Sequence, residues 1–175
     1  MARLFYGMNA SLDGFVDHDR FGPGPTLFQH FIDQTRGLAG SLYGRGLYDL
    51  MRYWDDDQPG WDAPERAFAQ AWRANPKWVV SRTLPAVGAN ATLAPDLEAT
   101  ARSLKTEIAG EIEVGGPKLA ASLFALGLID EVRLYLHPVV LGRGAPMFPG
   151  VQPTLHLTDA EPVGDDVMLL RYAVV

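Results

Sequence analysis

The chain of 175 residues has the length of one domain, and its 47% apolar content is enough for one core. Its formal net charge of −6 offers no positive field for a nucleic acid or an anionic membrane, so neither is expected as a partner. The absence of cysteine excludes disulfides, thiolate nucleophiles and cysteine-ligated metal centres. We therefore expect a single domain, 1–175, that holds any anionic ligand through a few placed cations and backbone N–H groups.

Neither a secretory signal nor a membrane span is predicted. The apolar run from Leu4 to Gly7 is too short for the core of a signal peptide, and it leads into the polar residues Asn9 and Asp13. No stretch approaches the roughly 20 apolar residues that are needed to span a bilayer. We therefore expect a cytoplasmic protein.

The first half of the chain alternates short apolar runs with amphipathic segments. The patterns predict strands at 4–8, 41–43 and 78–80, and helices at 25–36, 47–51 and 64–74. The acidic stretch 55–60 is rich in turn-forming residues and is interpreted as a solvated loop. We expect no metal site there, because its neighbouring aspartates lack the glycine spacing of a calcium-binding loop.

The second half continues the same alternation. A helix is predicted to begin at Pro95-Asp96 and to close near Gly110, followed by a strand at 112–114 and a helix from Pro117 to Leu126. Strands are predicted at 132–137, 154–157 and 167–175, the last two joined by a loop that contains 164–166. This order indicates an α/β domain with a largely parallel sheet and an antiparallel pair at its end.

Three turns that follow predicted strands are suited to bind anions. Gly115-Gly116 precedes a helix, where free N–H groups and the helix dipole favour a phosphate. Gly44-Arg45-Gly46 adds a cation at a similar turn, and Ser81-Arg82-Thr83 offers an arginine and two hydroxyls to a phosphate such as the 2′-phosphate of NADPH. Each motif alone is better explained as turn chemistry or as a surface arginine. Together they indicate one crevice, because the carboxyl ends of parallel strands meet at one edge of a sheet.

Five segments also carry a family resemblance and keep their order along the chain. They are 9–16, 44–45, 80–83, 115–119 and the block 128–132 with 138–144. In these segments the chain resembles the reductase domain of riboflavin biosynthesis and its stand-alone relatives within the dihydrofolate reductase superfamily. The resemblance covers nearly the whole chain.

The resemblance implies a dihydrofolate reductase-like three-layer α/β fold, with an eight-stranded, mostly parallel central sheet, an antiparallel C-terminal strand pair and helices on both faces. It also implies a homodimer, with NADPH lying across the strand ends. By this resemblance the pyrophosphate is expected at Gly115, Gly116, Pro117, Lys118 and Leu119, the diphosphate and ribose at Gly44 and Arg45, the 2′-phosphate at Ser81, Arg82 and Thr83, and the nicotinamide at the backbone of Asn9, Ala10 and Val16.

Three positions depart from the related enzymes. Phe28 stands where dihydrofolate reductase has the carboxylate that holds the pterin, which argues against folate reduction. Phe15 and Val114 stand where riboflavin-pathway reductases commonly have a lysine and a glutamate. Both losses remove polar contacts to a phosphorylated pyrimidine, so we favour a stand-alone relative with an unknown acceptor. The candidate substrate residues are Asn9, Asp13, Phe28, Phe31, Tyr48 and Trp54.

Two residues are candidates for proton delivery. Asp13 precedes a glycine in a loop, where an aspartate also caps turns, and His30 lies on the first predicted helix among aromatics, where a histidine also packs structurally. The main prediction is an NADPH-dependent oxidoreductase that transfers a hydride to a small molecule. The alternatives are 5-amino-6-(5-phosphoribosylamino)uracil reduction in riboflavin biosynthesis and a non-catalytic NADP(H)-binding or sensing protein.

Overall fold

A central sheet organises the computed structural model, which describes residues 1–17, 19–164 and 166–175. Its eight strands are β1 (Ala2–Ala10), β2 (Gly40–Gly44), β3 (Lys77–Val80), β4 (Ala91–Ala94), β5 (Gly110–Gly115), β6 (Glu131–Leu136), β7 (Leu155–Pro162) and β8 (Met168–Val174). Their order across the sheet is β4-β3-β2-β5-β1-β6-β8-β7. Strands β1 to β6 run parallel to one another, whereas β8 is antiparallel to both β6 and β7.

Four of the five helices begin at a proline in the first turn or at a side chain that caps the free backbone N–H groups. The five helices are α1 (Pro25–Gly37), α2 (Arg45–Met51), α3 (Ala63–Ala74), α4 (Leu97–Glu107) and α5 (Pro117–Ala125). Pro25 and Pro117 stand at the first turn of their helices, where a missing N–H has no cost. Asp62 and Glu65 cap α3 reciprocally, because each carboxylate accepts a hydrogen bond from the other residue's backbone N–H.

The alternation of side chains along the strands builds a core on each face of the sheet. Leu4 and Tyr6 of β1 lie on one face with Ile112 of β5, in a core that α4 and α5 cover. On the other face, Tyr43 of β2 packs with side chains of α1 and α3, including Trp72. The result is a three-layer structure, helix on sheet on helix.

The predicted fold class is confirmed: the sheet is mostly parallel, ends in an antiparallel strand pair and has helices on both faces. The prediction missed β4, whose four residues form a strand only by pairing with β3. It also extended the fourth helix too far, because α4 ends at Glu107 and Gly110 already pairs with Ala2 as the start of β5. Asp165, in the loop predicted between the last two strands, lies outside the described residues.

The acidic stretch 55–60 is tied to α3. The Asp55 carboxylate accepts a hydrogen bond of 3.0 Å from the Trp72 indole, and Asp57 pairs with Arg73 at 2.7 Å. Within the described residues, no group of three or more histidine, cysteine, aspartate or glutamate side chains is arranged to hold a metal ion. Across that same part of the chain, no helix has both the length and the apolar character needed to cross a bilayer.

Candidate functional site

The three anion-suited turns lie side by side at one edge of the sheet. They follow β3, β2 and β5, which are consecutive, parallel strands. The register places Gly44 opposite Val80 and Tyr43 opposite Gly115, so all three strands end at the same level. The parallel topology therefore brings together turns that are far apart in sequence.

The turn at Gly115-Gly116 depends on the absence of side chains. Gly116 has a φ of 107° and is the residue that precedes α5, a backbone conformation that residues with a Cβ rarely adopt. A Cβ at Gly115 would lie 2.2 Å from Cδ1 of Tyr43. Of the next residues, Lys118 is exposed, whereas Leu119 is buried in the core, so only its backbone can face a ligand.

The other two turns are joined directly. Nη1 of Arg45 donates a hydrogen bond of 2.9 Å to Oγ1 of Thr83, which links the turns after β2 and β3. Oγ of Ser81 accepts hydrogen bonds from the backbone N–H groups of Thr83 and Leu84, at 3.2 and 3.0 Å, and so fixes the turn around Arg82. The side chain of Arg82 is exposed at this edge.

A cavity of about 280 Å³ lies beside these turns, on the α1 and α3 side of the sheet. The predicted substrate residues Phe28, Phe31 and Trp54 line it, as do Asn9 and Val16. Phe68 and Trp72 of α3 complete its aromatic wall.

Of the residues predicted at the site that do not line the cavity, Tyr48 and Ala10 are buried in the core. Tyr48 is 1% exposed and packs in the core under α2, where its hydroxyl accepts a hydrogen bond of 2.8 Å from the Gly88 N–H. Ala10 is buried, and its carbonyl accepts a hydrogen bond of 2.9 Å from the His137 N–H. The position of Tyr48 along α2 turns its side chain toward the core. Its place in the sequence, shortly after the Gly44-Arg45-Gly46 turn, does not show this direction.

Asp13 acts as a connector between two loops. Its carboxylate accepts hydrogen bonds from the Ser11 hydroxyl at 2.6 Å and from the backbone N–H groups of Leu141 and Gly142 at 3.1 and 2.6 Å. These bonds, led by the one from Ser11, lower the pKa of Asp13 to about 2. A carboxylate with this pKa stays ionised at neutral pH, which fits the turn-capping interpretation better than a proton-delivering one.

His30 lies on α1 beside the cavity, without lining it. Its Nε2 is 3.0 Å from the Tyr135 hydroxyl, which donates its own hydrogen to Oε1 of Gln34 at 2.8 Å. Because that hydroxyl has one hydrogen, Nε2 of His30 is the donor in this pair. Burial lowers the pKa of His30, so the imidazole is neutral at pH 7.

The sequence reasoning missed Glu113, which lies at the base of the cavity. Its Oε2 accepts a hydrogen bond of 2.8 Å from the Tyr43 hydroxyl. Burial raises the pKa of Glu113, despite the opposing effects of Tyr43 and Arg133. The signal was present in the sequence: Ile112 and Val114 are apolar, so a strand there must turn Glu113 to the opposite face.

The fold and this site define a class: an α/β protein of the dihydrofolate reductase-like type, with an anion-suited strand edge beside an aromatic cavity. The chain belongs to the RibD C-terminal domain family, whose model matches residues 2–169. It is also 31% identical over 166 residues to the uncharacterized protein YyaP of Bacillus subtilis (strain 168), a match that covers 89% of this chain and 85% of that protein. The family resemblance inferred from the sequence is confirmed.

Solved structures show the same fold at lower identity. A protein of Shewanella sp. PV-4, whose name links it to riboflavin biosynthesis, superposes with a TM-score of 0.73 at 21% identity, and 99% of each chain is covered. The diaminohydroxyphosphoribosylaminopyrimidine deaminase/5-amino-6-(5-phosphoribosylamino)uracil reductase of Thermotoga maritima gives a TM-score of 0.68 at 15% identity. This chain covers only 57% of that two-activity protein.

Proposed function

We propose that this chain is an NADPH-dependent oxidoreductase that transfers a hydride to a small-molecule acceptor. The observation that carries the proposal is the placement of the three anion-suited turns on adjacent strands, directly beside an aromatic cavity. Membership of the RibD C-terminal domain family supports it. The reductase activity named for the Thermotoga maritima protein supports it as well, at the level of the reaction class.

The residues at this edge fit a dinucleotide phosphate. Gly115 and Gly116 would hold the pyrophosphate through their backbone, at the start of α5, where the helix dipole favours negative charge. Arg45, already held by Thr83, would pair with the diphosphate, and the exposed Arg82 would pair with the 2′-phosphate. In a chain with a net charge of −6, such local cations are the means of holding an anion.

The cavity suits the reacting end of such a cofactor. Asn9 and Val16, expected beside the nicotinamide, line the cavity together with aromatic side chains of α1 and α3. When bound, the cofactor supplies a hydride, and the chain's residues orient the two reactants and exclude water.

A binding experiment tests the cofactor assignment. We expect the wild-type chain to bind NADPH more tightly than NADH, and Arg82→Ala to narrow that difference by about 1–3 kcal/mol, because a charge-assisted bond to the 2′-phosphate is lost. Arg102→Ala is the matched control. Arg102 is an exposed arginine of α4, on the sheet face opposite the cavity, and it pairs with Glu98 of the same helix. Equal affinity of the wild-type chain for the two cofactors would contradict the assignment.

A second experiment separates an enzyme from a binding or sensing protein. Purified protein, NADPH and a panel of quinones, pterins and ketones are followed by absorbance of the reduced nicotinamide. Oxidation of NADPH that requires both protein and acceptor is the result expected for an oxidoreductase. Tight NADPH binding with no oxidation across the panel would favour the non-catalytic alternative.

We further propose that the chain forms a homodimer. Leu134 of β6 and its partner Leu170 of β8 are only half-buried, and so are Leu136 and Tyr172 on the same face. These four apolar side chains form a row on one face of β6 and β8 that the helices do not fully cover. Such an exposed apolar surface is typical of a protein–protein interface. Light scattering should therefore give twice the chain mass of 19.1 kDa, and the monomer mass would contradict the proposal.

A further inference from the structure

The wall of the cavity selects for a flat ligand. Phe28 and Phe68 stack with ring centroids 5.5 Å apart, and Trp54 meets Phe68 edge-on at 4.8 Å. Phe31 meets Tyr135 in the same manner at 4.8 Å. Aromatic faces and edges fixed in this way bind a planar ring by stacking. The volume of about 280 Å³ has room for one small ring system.

The cavity offers no cation. Among the described residues that line it, Glu113 is the one with a carboxyl group, and none is a lysine, arginine or histidine. Two buried cations of the sheet, Arg133 and Lys77, are engaged elsewhere. Arg133 pairs with Glu131 and Glu111, and Nζ of Lys77 donates to the Trp72 and Asn75 carbonyls. An anionic ring would thus lose its hydration without gaining a charge partner.

Glu113 and the hydroxyl groups of Tyr43 and Tyr135 are among the polar groups that line the cavity. The Tyr43 hydroxyl donates its hydrogen bond to Glu113, and the Tyr135 hydroxyl donates its hydrogen bond to Gln34, so neither hydroxyl has a hydrogen left for a ligand. Burial raises the pKa of Glu113, which favours the protonated form of its carboxyl group relative to that of an exposed glutamate. Of these three groups, Glu113 is therefore the one whose protonated form can donate a hydrogen bond to a ligand.

Building on the proposed function, we propose that the acceptor ring is uncharged and planar and has a carbonyl or imine acceptor atom, to which Glu113 donates the orienting hydrogen bond. Tyr43 holds the carboxyl group of Glu113 for this contact. Glu113 lies on β5, two residues before Gly115, so the same strand positions both the ring and the cofactor turn. Phosphorylated or carboxylated rings are disfavoured in this cavity.

The charge requirement is tested with two ligands of the same ring size. 1,4-Naphthoquinone is uncharged and has carbonyl acceptors, whereas 1,4-naphthoquinone-2-sulfonate adds one negative charge. The chain has no cysteine that a quinone could alkylate. In calorimetric titrations without cofactor, we expect the sulfonate to bind the wild-type chain at least about tenfold more weakly. Binding of the sulfonate within threefold of the quinone, or no binding of the quinone, would overturn the proposal.

The role of Glu113 is tested by two substitutions. Glu113→Leu keeps the bulk of the side chain and removes the hydrogen-bond donor, so the affinity for naphthoquinone should fall by about tenfold. The affinity for naphthalene, which has no acceptor atom, should stay unchanged or increase. Glu113→Gln keeps a donor without an ionisable group and should bind naphthoquinone within threefold of wild type. Glu107→Gln, an exposed carboxylate on α4, is the control for loss of one charge.

The outcomes distinguish this inference from the proposed function. A large loss of naphthoquinone binding in Glu113→Gln, or an equal loss of naphthoquinone and naphthalene in Glu113→Leu, would overturn the role of Glu113. If Glu113→Leu fails to fold, as judged by circular dichroism, the Glu113→Gln variant still tests the role of Glu113, and the sulfonate comparison still tests the charge requirement. Absence of NADPH binding in a separate titration, with the ring preferences intact, would overturn the proposed function alone.

Discussion

The ring of Tyr43 packs directly against the backbone of Gly115 on the neighbouring strand. The two residues face each other in the parallel register of β2 and β5, and the ring occupies the space that a side chain at 115 would need. From this position the Tyr43 hydroxyl reaches Glu113, two residues earlier on β5 and on the same face. One glycine therefore serves both the cofactor turn and the polar base of the cavity.

Gly115→Ala is expected to disturb both features. The new Cβ would lie 2.2 Å from Tyr43 and 2.5 Å from Leu47, so the chain should lose about 1–3 kcal/mol of unfolding free energy and bind NADPH more weakly. Gly46→Ala is the control, because a Cβ there meets no atom within 4 Å. Gly46 lies in α2, where alanine is neutral or stabilising by up to about 1 kcal/mol. Urea denaturation of the two variants checks the contrast, and equal stability would contradict it.

Tyr6→Phe should destabilise the chain by about 1 kcal/mol. The buried Tyr6 hydroxyl donates a hydrogen bond of 2.9 Å to the Met147 carbonyl, which would lose this partner. Tyr172→Phe is the comparison, since that half-buried side chain makes no hydroxyl hydrogen bond within the described residues. The midpoint of urea denaturation measures both, and a Tyr6→Phe midpoint at the wild-type value would count against the bond.

Asp13→Asn should lower the melting temperature in a pH-dependent manner. The pKa of Asp13 falls from its ordinary 3.8 to about 2 in the folded chain, so its stabilising effect is fully present above pH 4. The effect is lost as the pH falls toward 2, because the folded carboxylate is then protonated as well. Melting temperatures of wild type and variant should therefore differ at pH 5 to 7 and converge toward pH 2. Asp33→Asn, an exposed position on α1, controls for charge, and a difference independent of pH would contradict the prediction.

Because of Lys77, the unfolding free energy of the chain should increase between pH 8 and 10.5. Burial lowers its pKa from 10.5 to about 8, against a smaller opposing effect of Asp55. Between pH 8 and 10.5 the unfolded chain binds the proton more tightly, so the unfolding free energy gains a contribution that increases with pH. The stability of wild type relative to Lys77→Met should grow over this window. The same comparison with Lys118→Met, an exposed position on α5, should stay flat.

The fold class and the family resemblance follow from patterns within the sequence. Apolar runs of strand length separated by amphipathic helices require a layered α/β core, because each strand must bury its side chains against helices on both sides. The glycine pair before Pro117 marked a turn that only residues without a Cβ can form, as its φ of 107° at Gly116 bears out. Such local requirements are visible in a sequence because the residues concerned are neighbours in the chain.

Contacts between side chains that are distant in the sequence depend on how the strands and helices are packed. Glu113 and Tyr43 are 70 residues apart and touch only because β2 and β5 are adjacent, a pairing that no local pattern specifies. Tyr48 is one of the residues predicted to contact the substrate, yet α2 turns its side chain into the core. Burial and pKa depend on every neighbour in space, so the chemistry at the base of the cavity emerged only when the strands were placed side by side.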